Sequence, residues 1–76
     1  MAQSLTHAVY AAAARNGFKR LEIDRTQATI VVSTVPILNL IAADLELTIT
    51  RHPNGHTTAR GTIGYMKIVV LVDPDD

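Results

Sequence analysis

Apolar residues recur at helical spacing at Leu5, Ala8, Val9, Ala12 and Ala13, with Ser4 placed to cap the start and Asn16-Gly17 suited to end the run. This predicts a helix over residues 5–15 whose packing stripe is mostly alanine. Such a stripe lets the helix approach a sheet closely while contributing little apolar area per turn. Residues 18–23 and 28–34 then alternate in a strand-like, β-branched manner around the short polar stretch Asp24-Arg25-Thr26-Gln27. They read as a hairpin with Leu21, Ile23, Ala28, Ile30 and Val32 facing inward. Arg20, Glu22, Thr29 and Val31 face the other way, and Val31 is the one apolar residue on that side.

The clearest punctuation is Arg51-His52-Pro53-Asn54-Gly55-His56. Pro53 presets a negative φ, Asn54 tolerates turn geometry, and Gly55 can take the left-handed position that closes a three-residue loop with a bulge. His52 then faces His56, Thr50 faces Thr58, Thr48 faces Arg60 and Glu46 faces Thr62 on a polar face. Ile49 with Ala59, Leu47 with Gly61 and Leu45 with Ile63 form the apolar one. A two-residue Asn-Gly loop would pair Leu47 with Thr62 and Ile49 with Arg60, mixing the faces, so the alternation selects the bulged turn. The strands expected here cover 44–52 and 56–63.

Residues 66–72, Met-Lys-Ile-Val-Val-Leu-Val, are nearly continuous in apolar side chains and stop at Asp73-Pro74-Asp75-Asp76. A strand of this kind calls for cover on both faces, either inside a sheet or at an edge that pairs with a second copy. The acidic end reads as a solvated terminus that discourages further pairing. Residues 35–43 are the least legible: Pro36 argues against a central strand, yet the run is too apolar for an exposed loop. A crossover beneath the helix, a short helix and a partner surface all fit it. The sum is one α+β domain over residues 1–76, an N-terminal helix packed on one face of an antiparallel sheet of about four to five strands.

Composition narrows the function classes. Seven basic and seven acidic residues give zero net charge, which argues against dedicated binding to nucleic acid or anionic membranes by long-range attraction. The opening Met1-Ala2-Gln3-Ser4 lacks the basic and apolar regions of a secretory signal, so a cytoplasmic location is expected. No apolar run is long enough to span a membrane. With no cysteine, no Trp and one Phe in 76 residues, neither a disulfide nor a thiolate metal site supplements a small core. A second subunit is then the remaining support.

No catalytic motif is present. Ser4 and Ser33 lack a nucleophile elbow, and Glu22, Asp24, Asp44 and Glu46 fall at strand ends or on outward faces. His52 and His56 face each other, but two imidazoles are too few for a metal and no spacing supplies a third ligand. Gly61-Thr62-Ile63-Gly64 has the outline of the glycine loop of KH domains, but that loop joins two helices, whereas here it separates two strand patterns and reads as a bend. No cofactor is implied.

The expected function is therefore a small non-enzymatic interaction or assembly module, a homo-oligomer with a dimer favoured. The self-association residues are Ile37, Leu38, Leu40, Ile68, Val70 and Val72, and a different protein partner fits the same surface. One alternative is a small-ligand domain with a cavity between the helix and the sheet, where Ala8, Ala12 and Ala13 leave room. The other is weak anion or nucleic-acid binding through Arg51, His52, His56 and Arg60.

Overall fold

The computed structural model describes residues 5–73, Leu5 by its backbone alone. The Ser4 cap and the tail beyond Asp73 lie outside the described residues. Two helices and five strands follow in the order α1 (Leu5–Asn16), β1 (Arg20–Ile23), β2 (Gln27–Val32), α2 (Val35–Leu45), β3 (Thr48–Arg51), β4 (Thr57–Ile63) and β5 (Met66–Val72). The strands form one sheet in the order β1-β2-β5-β4-β3. All neighbours are antiparallel except the central pair, β2 and β5, which is parallel. The fold is α+β, with α1 packed on the sheet as its pattern predicts.

Both hairpins take the register that alternation requires. Arg20 pairs with Val31 and Glu22 with Thr29 in the first, and Thr48 pairs with Arg60 and Thr50 with Thr58 in the second. At the tip of the second, the His52 amide donates to the His56 carbonyl at 2.7 Å and Gly55 adopts a φ of 92°, the left-handed conformation of the bulged loop. The outer pairs Leu45 with Ile63 and Glu46 with Thr62 do not form, because α2 extends through Leu45. Glu46 then ends the helix in the left-handed region at φ 56°. Leu47 nevertheless meets Gly61: a Cβ at Gly61 would lie 2.7 Å from Leu47 Cδ2, so the glycine makes room for that side chain.

The segment over residues 35–43 is a helix. Pro36 lies in its first turn, where a missing N–H has no intrahelical partner to lose, and Leu38, Ile41, Ala42 and Leu45 recur at the spacing of a buried face. The helix is the crossover from β2 to β3, lying over the intervening strands β5 and β4. Both helices cover the same sheet face. Val9, Ala13, Leu38 and Ile41 meet Ala28, Ile30, Ala59, Ile68 and Val70 in one core. Tyr10, midway along α1, stands edge-on at 6.1 Å to Phe18 in the link to β1.

The last turns of the helices are tied through Asp44, whose carboxylate accepts from Asn16 Nδ2 at 2.8 Å and from Arg15 at 3.0 Å. The Asn16 hydrogen bond first, and then the Arg15 guanidinium, hold the Asp44 carboxyl below its ordinary value of 3.8. A carboxylate with a depressed folded pKa contributes stability above its unfolded value and loses it as pH falls through the folded one. Asp44→Ala is therefore expected to lower the urea midpoint modestly at neutral pH, and the two proteins converge at pH below the folded Asp44 value. Urea titrations across the acid range check this.

Candidate functional site on the open sheet face

The two helices leave the opposite face of the sheet without a layer. Strand alternation and register order its side chains into rows that run across the strands. The middle row reads Glu22, Thr29, Val69, Arg60 and Thr48 from β1 to β3. The row toward the C-terminal ends of β2 and β5 reads Arg20, Val31, Leu71, Thr58 and Thr50. Toward their N-terminal ends, Gln27, Lys67 and Thr62 make a third. An apolar strip therefore sits on the two central strands between polar flanks. Val31 is nearly closed off, Val69 is half-buried, and Leu71 is 38% exposed.

Two open grooves meet on this face at Gln27. One, of about 560 Å3, is lined by Gln27, Thr48, Thr50, Arg60, Thr62 and Lys67 together with Gly61, Ile68 and Val69, with no carboxylate among them. Arg60 and Lys67 are diagonal neighbours across β4 and β5, about 7–8 Å apart by strand geometry and somewhat closer at the Cβ atoms. Neither has an ion-pair partner among the described residues. The other groove, of about 410 Å3, is lined by Glu22, Ile23, Asp24, Thr26, Gln27 and Thr29. Glu22 is 3.8 Å from Arg20, a pair exposed on both sides and so of small energetic worth. The face thus has an acidic side over β1 and the first turn, a cationic side over β4 and β5, and an apolar centre.

The four hairpin residues proposed as one anion site are separated. Arg51 lies on the helix-side parity with Ile49 and Ala59, whereas Arg60 faces the open side. His52 bonds Thr58 Oγ1 at 3.0 Å near the turn, and Arg60 lies four residue steps, about 13 Å, along the chain from His56. Arg60 has Lys67 as its cationic neighbour instead. Among the described residues no three His, Cys, Asp or Glu side chains gather as a metal would require.

The apolar set divides as well. Leu38, Ile68 and Val70 are fully buried in the monomer's own core, so they have no surface to offer a second copy. Ile37 and Val72 pack partly against that core, and Leu40 on α2 is 55% exposed. β5 lies between β2 and β4, which removes an edge pairing of this strand with a second copy. Lys67, Val69 and Leu71 went unread because the run over 66–72 looks apolar on both faces. The lone charge at Lys67, two residues from Val69 and four from Leu71, marks the face that the helices leave uncovered.

No protein-family model, curated protein or solved structure matches the chain. No helix among the described residues is long and apolar enough to cross a membrane. Chemically, the face can do two things: hold an anionic group between Arg60 and Lys67, or pack against another face of matching charge and shape.

Proposed function

We propose that the protein is a small non-enzymatic assembly module that forms a dimer through the open face of its sheet. The observation that carries this reading is the uncovered apolar strip on the central strands. Val69 and Leu71 belong to the most apolar segment of the chain, yet both helices lie on the other side of it. A second layer completes the sandwich that such a sheet favours. The small core and the lack of any covalent staple favour the same arrangement.

The size of the face bears on the class of complex. Five strands about 4.8 Å apart and up to seven residues long give a face of roughly 20 by 20 Å, and two such faces bury on the order of 1,000 Å2, near the lower bound for specific association. Interfaces at this low end belong mostly to weak, transient complexes, so a micromolar dissociation constant is expected. Sedimentation equilibrium from low micromolar to about millimolar protein is expected to show a monomer–dimer equilibrium. A folded monomer at about 1 mM overturns the reading and leaves the donors around Arg60 and Lys67 as a site for an anionic ligand.

A further inference from the structure

Resting on self-association through the open face, we infer that the second copy docks about a two-fold axis running along the strands between β2 and β5, so that Glu22 of each copy meets Arg60 of the partner subunit. A two-fold axis in that position exchanges β2 with β5 and β1 with β4 while keeping each residue at its height along the strands. Glu22 and Arg60 lie in the same row, one strand outside the central pair on either side. They therefore exchange places. The same operation sets Val31 against Leu71 of the partner subunit, Val69 against Thr29 of the partner subunit and Lys67 against Gln27 of the partner subunit, so that no like charges face each other.

The competing axes are worse for a stated reason. A two-fold axis in the sheet plane but perpendicular to the strands, through the middle row, places Arg60 against Arg60 of the partner subunit and Glu22 against Glu22 of the partner subunit. Moving the parallel axis onto β5 sets Lys67 against Lys67 of the partner subunit. Like charges brought together at an interface are what excludes wrong registers. Sheets stacked in this way cross at about 30°, and the long Glu and Arg side chains absorb the few ångströms of displacement that results. The Arg20–Glu22 pair does not block the exchange, since both side chains are largely exposed.

The test is a charge reversal made singly and together, with dimerisation read by sedimentation equilibrium and folding by circular dichroism. Glu22→Arg and Arg60→Glu alone are each expected to raise the dissociation constant at least about tenfold, because the two-fold axis repeats each repulsion. The double variant is expected to return to within a few-fold of the parent. Arg51→Glu, which reverses a cation off this face, is expected to leave the constant unchanged. A dimer whose constant is the same in the single variants, or which the double variant fails to restore, overturns this docking geometry while self-association itself stands. Equal weakening by Arg51→Glu also overturns it, since the effect is then one of overall charge. A parent protein that stays monomeric removes the reading on which the inference rests.

Discussion

Val70→Lys is expected to unfold the chain. Val70 is fully buried on the central strand, level with Ile30 on β2 and Ala59 on β4, beneath the helices. The substitution removes about 2 kcal/mol of apolar burial and places an unpaired ammonium where its desolvation costs several kcal/mol more. A chain of this length has only about 4–11 kcal/mol of stability in total. Far-UV circular dichroism and amide chemical-shift dispersion check the outcome. A variant that keeps its cooperative melt near the parent's temperature overturns the central placement of β5.

The neighbouring substitution, Leu71→Lys, is expected to behave in the opposite way. Leu71 is on the same strand but faces the open side, where a lysine can extend into water. The variant should remain folded, with a melting temperature within a few degrees of the parent's. Its dimer should weaken roughly ten- to hundredfold, because the two-fold axis counts the lost apolar contact and the added charge twice. Sedimentation equilibrium reads the second effect and a thermal melt the first. A Leu71→Lys protein that dimerises like the parent moves the interface away from the open face.

The contrast between positions 70 and 71 shows how far this architecture could be read from the residues. Strand alternation placed Leu21, Ile23, Ala28, Ile30 and Val32 together on the inner face, and the Pro53-Asn54-Gly55 turn set the pairs from Thr48 to Arg60, because both signals are local. Local signals fail where a residue type has two uses. Pro36 counted against a strand, correctly, but its place in the first turn of a helix was hidden by the apolar run that follows it. The run over 66–72 called for cover on both faces, without showing which of the two the helices would take. That depends on β5 entering beside β2, a pairing such as Ala28 with Ile68 between residues forty apart in the chain. The candidate site was harder still. Arg60 was found on the correct face of its hairpin, but its neighbour Lys67 is brought there only by the pairing of β4 with β5.

The parallel seam between β2 and β5 also governs when the molecule can form. With the last strand still missing, the chain holds a hairpin of β1 with β2 and another of β3 with β4, with no strand to join them, and the buried row of Met66, Ile68 and Val70 is absent from beneath the helices. Neither hairpin has a complete core at that stage. Folding must therefore wait until β5 has been made and proceed through pairings between residues forty apart, a slow route for so small a domain. During that wait the exposed edges of β2 and β4 are the surfaces on which a premature partner would add, so the strand that completes the sheet is also the one that protects it.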